Sequence, residues 1–158
     1  MTVLWSARCL PEFWAFYMTT VLRTIAAIVV SMVVVFVLVI AVEGFSAVVH
    51  PFPEGMDMHN QEEMCEHVAS YPAWVLAAVV PMWGAIALVG TGLAQWIGNW
   101  IASSIIGTLL LIAVAFNVSM LPYPFWFKVV ILLIVPAASL LGAWAGHPKA
   151  KRPVTNES

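Results

Sequence analysis

The sequence predicts an all-α membrane protein, an antiparallel four-helix transmembrane bundle with a short helical loop on its external side. Two observations carry this. Apolar residues make up 63% of the 158 residues and charged residues only 9%, against roughly 25% charged in ordinary soluble domains. From Glu66 to Lys128 the chain holds no Asp, Glu, Lys or Arg between those two residues. Such a stretch has no polar shell to offer water, whereas a bilayer accepts it once each helix closes its own backbone hydrogen bonds.

The elements follow in order. Residues 1–23 carry Trp5, Phe13, Trp14, Phe16 and Tyr17 beside Arg8 and Arg23, the mixture of an amphipathic segment lying in the membrane interface. Met18 offers an alternative start, after which an ordinary first span would follow. That span covers 24–49, about 39 Å at 1.5 Å per residue. It outlasts a hydrocarbon core of about 30 Å, so it tilts or protrudes. Its length and the lack of a small-x-small cleavage site make it a retained anchor rather than a signal peptide.

The loop 50–72 opens with His50-Pro51-Phe52-Pro53-Glu54-Gly55, which prolines and glycine keep out of helix. Asn60 with Glu63 three residues on fits a capping box, so 61–69 forms a short helix. The second span covers 73–94, with Pro81 as a kink. A turn at 95–99 lies between the interfacial Trp96 and Trp100. The third span is 101–120. Pro122-Tyr123-Pro124 reverses the chain, and the fourth span is 125–145, with Pro136 near its middle. The spans, the loop and the turns form one domain over 24–146, followed by a polar tail at 147–158.

Orientation follows from basic residues. Arg8, Arg23, Lys149, Lys151 and Arg152 fall on one side and Lys128 near the other. The positive-inside rule then places both termini in the cytoplasm and the 50–72 loop outside. Cys9 and Cys65 lie on opposite sides and have no route to a disulfide.

Three groups of residues can carry function. Glu43 is the only acidic residue within a span, and an intramembrane carboxylate needs a partner. Asn117 and Lys128 lie at similar depth, so a Glu43–Lys128 pair or a Glu43–Asn117 hydrogen bond is expected, either as a proton or cation site or as an interhelical clasp. In the loop, His50, Met58, His59, Cys65 and His67 combine thioether, thiol and imidazole, the donor set of a soft metal; their spacing matches no defined metal motif, and a solvated acidic cap is the plainer alternative. Small residues recur every four positions at Gly90, Ala94 and Gly98 and again at Ala138, Gly142 and Gly146. These are helix-packing ridges, serving contacts within the chain, with a second copy, or with another membrane protein.

Other classes are disfavoured. A net charge of −2 provides no basic stripe for nucleic acid. No Gly-rich phosphate loop, His-Glu-x-x-His or Gly-x-Ser-x-Gly occurs, and Ser103 and Ser104 have no His or Lys at their depth. No cofactor and no catalytic residue is expected. The sequence points to a non-enzymatic accessory or subunit-type membrane component, with a small-cation, proton or metal transporter or channel acting as an oligomer as the alternative. The Pro-aromatic-Pro turns at 51–53 and 122–124 raise a duplicated two-helix hairpin.

Glu43-Gly44, His50-Pro51-x-Pro53-x-Gly55, and Asn117 with Pro122-x-Pro124-x-Trp126-Phe127 together resemble an uncharacterised family of small bacterial four-span integral membrane proteins. The likeness covers 18–146. It implies the fold and topology and brings no activity with it. The chain departs from that pattern in its N-terminal extension and in its uncharged 95–99 turn, where related chains usually carry basic residues.

Overall fold

The computed structural model describes residues 6–53, 55 and 59–147, with side chains from Tyr17 onward. Its elements are α1 (Ser6–Val49), α2 (Gln61–Ala69), α3 (Ala73–Ile97), α4 (Trp100–Met120) and α5 (Phe125–Ala145). Every regular element among the described residues is helical. Four helices are long and apolar enough to cross a membrane: Tyr17–Val49, Ala73–Ile97, Trp100–Met120 and Phe125–Ala145. The protein is a multi-pass membrane helix bundle.

Two boundaries differ from the sequence expectation. Residues 6–23 are continuous with the first span, because α1 runs unbroken for 44 residues. No proline follows Pro11 before the loop, so nothing stops helix propagation at Arg23. The 95–99 turn is also shorter than expected. α3 continues to Ile97, Gly98 caps it, and Asn99 already caps α4 by accepting from the backbone N–H groups of Ile101 and Ala102. A Cβ on Gly98 would lie 2.7 Å from the Ala27 Cβ, so close approach of α1 requires glycine there.

The loop helix forms as its caps dictate. Asn60 Oδ1 accepts from the Glu62 N–H at 3.1 Å, and Asn60 Nδ2 donates to Glu63 Oε1 at 2.8 Å. The carboxylate thus reaches back to the capping side chain. α3 and α5 each start directly after a proline in near-identical conformation, Pro72 (φ −60°, ψ 137°) and Pro124 (φ −55°, ψ 143°). Proline loses nothing at a helix start, where its missing N–H would have no partner. Pro81 and Pro136 sit inside helices without ending them.

α3 is the hub: it packs on α1, α4 and α5, and α4 touches the same two outer helices. α1 and α5 do not pack on one another. The layout is two triangles sharing the α3–α4 edge. Burial follows: in the most apolar stretch of each span, 39% of α3 is buried but only 22% of α1. α1 therefore presents most of its surface outward, using a narrow stripe of Ala27, Ser31, Val35, Val42 and Ser46 for the bundle.

Both small-residue ridges pack inside the chain. Gly90 faces Val35 of α1 and Ile106 of α4, and Gly98 faces Ala27 and Ala102. Gly142 of α5 lies against the Leu88 carbonyl and the Thr91 hydroxyl, and Gly146 against the Gly92 carbonyl. Between membrane helices lipid cancels the hydrophobic driving force, so such backbone-to-backbone contact and the hydrogen bonds it permits supply the attraction. Thr91 Oγ1 donates to Ala87 O at 2.6 Å and lies 3.0 Å from Ser139 O across the interface, while Ser103 Oγ donates to Thr91 O at 3.0 Å.

Candidate functional site

Where α1 and α5 stay apart, the loop end of the bundle encloses a cavity of about 50 Å³. All four spans contribute to it. Val42, Glu43 and Ser46 come from α1, Trp83 from α3, Asn117 from α4, and Phe127 and Ile131 from α5. Tyr71 and Tyr123, the residues just before Pro72 and Pro124, complete the wall. The floor is aliphatic, with Leu76, Val79, Val114 and Val118.

Of the three intramembrane polar residues singled out in the sequence, Glu43 and Asn117 share this chamber and Lys128 does not line it. Glu43 makes neither the ion pair with Lys128 nor the hydrogen bond with Asn117 that equal depth suggested. Depth fixes height along a helix but not azimuth. Phe127 and Ile131 turn inward, and Lys128, one residue further round at about 100°, is carried off the chamber face.

The two tyrosines were not anticipated. Each sits in a Tyr-Pro-x-Trp tetrapeptide, Tyr71-Pro72-Ala73-Trp74 and Tyr123-Pro124-Phe125-Trp126. That repeat was the available signal, and it displaces the Pro-aromatic-Pro correspondence, since it marks the matched starts of α3 and α5. Burial pushes the Tyr123 hydroxyl up to about 12, with the negative charges of Glu43 and Tyr71 adding to the effect. Burial and then Glu43 likewise raise Tyr71. Both phenols therefore stay neutral near pH 7, offering one O–H donor and acceptor lone pairs each.

Tyr71 also joins the chamber to a ring cluster in the loop. His50 stacks on His67 with centroids 4.5 Å apart, Phe52 stacks on the same His67 at 4.6 Å, and Tyr71 meets His50 at 4.6 Å. Ser70 Oγ donates its only hydrogen to His67 O at 2.7 Å, so His50 Nε2, 3.1 Å away, is the donor in their contact. His67 is buried and its Nε2 has no hydrogen-bond partner. Burial, and then the nearby His50, hold its basicity below the ordinary value.

For the suggested metal set, His50 and His67 come together as stacked rings. Among the described residues no three His, Cys, Asp or Glu side chains converge on a common point. Cys65 is a free thiol, and Met58 lies outside the described residues. The basic residues Arg8, Lys149, Lys151 and Arg152 also have no described side chains.

The opposite end is closed by polar contacts from α1 to the α3–α4 turn and from α3 to the residues that follow α5. Arg23 Nε donates to the Ile97 carbonyl, Asn99 Nδ2 donates to Thr24 Oγ1 at 2.8 Å, and Gln95 Nε2 meets His147 Nδ1 at 3.1 Å. The basic group that the turn lacks in sequence is supplied by α1. Ser103, with its hydroxyl engaged by Thr91 O, is tied into packing.

No family model, curated protein or solved structure matches the chain.

Proposed function

We propose that this chain is a non-enzymatic accessory or subunit-type component of a bacterial inner membrane, with both termini cytoplasmic and the 50–72 loop outside. The observation that carries the reading is the contrast between the two halves of the bundle. Away from the loop, Gly142 and Gly146 seat α5 on the backbone of α3, and Thr91 and Ser103 tie the helices together. The polar side chains Thr91 and Ser103 in that half are spent on helix-to-helix bonds, which supports a packing role over a conducting one. A lipid-facing α1 with a narrow buried stripe offers the surface through which such a component meets a second copy or another membrane protein. The resemblance of its motif residues to those of small bacterial four-span membrane proteins supports the same reading.

Native mass spectrometry of the full chain released in mild detergent tests this. A monomer, or a stoichiometric complex with a distinct membrane protein, is expected. A defined homo-oligomer whose vesicles pass Na⁺, K⁺ or protons above protein-free background would overturn it.

One observation favours the second reading, an oligomeric transporter or channel for a small cation, proton or metal. Glu43 borders the chamber with no ion pair or hydrogen bond to a described residue. Flux that disappears in Glu43→Ala would establish that reading in place of the first.

A further inference from the structure

We propose that the chamber at the loop end is a binding site for a desolvated monovalent cation, an alkali-metal or ammonium ion. The inference goes beyond the accessory reading, since it concerns what the site holds and not whether anything crosses the membrane.

Size comes first. A cavity of about 50 Å³ has room for a few water-sized bodies, at about 10–15 Å³ each on the same measure. Larger organic ligands do not fit. The wall chemistry comes second. Glu43 supplies one carboxylate, and Ser46, Asn117, Tyr71 and Tyr123 supply neutral oxygens around it. Hard cations take oxygen ligands of this kind. Trp83 adds an indole to the wall, the aromatic group that attracts cations most strongly.

Charge comes third. The phenol of Tyr123 stays protonated to about pH 12, so the chamber contains at most one formal negative charge. Among the described residues no Lys or Arg lines it to neutralise that charge. A carboxylate at this depth, without a partner among the described residues, is stabilised either by a bound proton or by a cation. The number of neutral oxygen-bearing side chains on the wall is what distinguishes the two: a proton needs one acceptor, and a cation needs several.

The test uses the full chain in detergent at constant ionic strength, with choline chloride replaced stepwise by NaCl, KCl or NH₄Cl. Thermal unfolding and tryptophan fluorescence are followed together. At least one small cation should raise Tm saturably and change the fluorescence, with choline inert. Glu43→Gln should weaken the apparent affinity about tenfold or more, and Asn117→Leu should weaken it as well. The double variant Glu62→Gln/Glu66→Gln, which removes two of the three carboxylates of the loop helix and leaves the chamber intact, should respond like wild type.

A response equal in choline, one that survives Glu43→Gln, or one lost only in the loop variant would overturn the site. So would a chain that responds to pH and to no cation. Should Glu43→Gln not fold, Glu43→Asp takes its place, and an unchanged affinity there with an unchanged affinity in Asn117→Leu would also overturn it. Binding without flux leaves the accessory reading standing, whereas binding with Glu43-dependent flux removes that reading and keeps the site.

Discussion

Thr91 of α3 lies with its hydroxyl 3.0 Å from the carbonyl oxygen of Ser139 in α5, and its own carbonyl accepts from Ser103 of α4 at 3.0 Å. One residue thereby links three spans beside the close approach of Gly142 to α3. Thr91→Val keeps the shape and removes the hydroxyl. It should cost about 0.6 kcal/mol, with about 1.7 as the upper end for such membrane bonds, read from reversible unfolding in mixed micelles.

Gly142 and Gly44 form a matched contrast. A Cβ on Gly142 would overlap the Leu88 carbonyl, a backbone atom that cannot swing aside, whereas a Cβ on Gly44 meets nothing within 4 Å. Gly142→Ala should therefore destabilise by about 1–3 kcal/mol or more through overpacking. Gly44→Ala should be neutral or stabilising by up to about 1 kcal/mol from helix propensity. Thermal scans of the two purified variants side by side decide it, and equal losses would contradict the packing described.

Acidification should loosen the loop. His67 is held below its ordinary basicity in the folded chain, so the unfolded chain binds a proton more readily. The stability this contributes is present above the unfolded value near 6.5 and falls as pH drops below it, through the lower folded value. Protease cleavage within the loop should rise as pH falls from about 7.5 to about 5, a window that spans the ordinary imidazole value near 6.5. His67→Phe, which keeps a ring in the stack, should flatten that dependence.

Tyrosine titration gives an independent reading of the chamber. The chain has three tyrosines, and Tyr123 should ionise last, at about 12. Any stability linked to its proton is complete below the unfolded value near 10 and is lost as pH rises through 12. Tyr123→Phe should remove the latest phase of the tyrosinate absorbance, and Glu43→Gln should move that phase to lower pH.

A double-mutant cycle checks the missing ion pair. Since Lys128 does not line the chamber that Glu43 borders, Glu43→Gln and Lys128→Met should be additive within about 0.5 kcal/mol. A larger coupling would restore the pairing that equal depth suggested.

Much of this fold was legible in the sequence because a bilayer writes its demands in runs of apolar residues. The starts of α3 and α5 at Pro72 and Pro124, the end of α4 at Met120 and both ends of α2 fall where prolines, caps and hydropathy place them. Glu43 and Asn117 stood out because polarity within a span is rare. Tyr71 and Tyr123 did not, since a tyrosine near a span end ordinarily sits at the lipid–water boundary. Their inward turn depends on the matched Tyr-Pro starts. The ridge at Gly142 and Gly146 announced close packing, but its partner, the backbone at Leu88 and Gly92, carries no side-chain signature beyond one glycine. Hydropathy also says nothing about which helices are neighbours, so the open edge between α1 and α5 was not foreseeable.

That open edge bears on how the protein is made. α3, α4 and α5 follow one another through short turns, so their mutual contacts are local in the chain and close quickly. α1 precedes them, tethered by a loop of some twenty residues and docked, among the described residues, on the shared face of α3 and α4. It leaves the ribosome before the other three spans, yet its seat does not exist until α4 has been synthesised. The helix inserted earliest is thus the one packed latest, and a chain severed within the loop should reassemble from two separately expressed pieces.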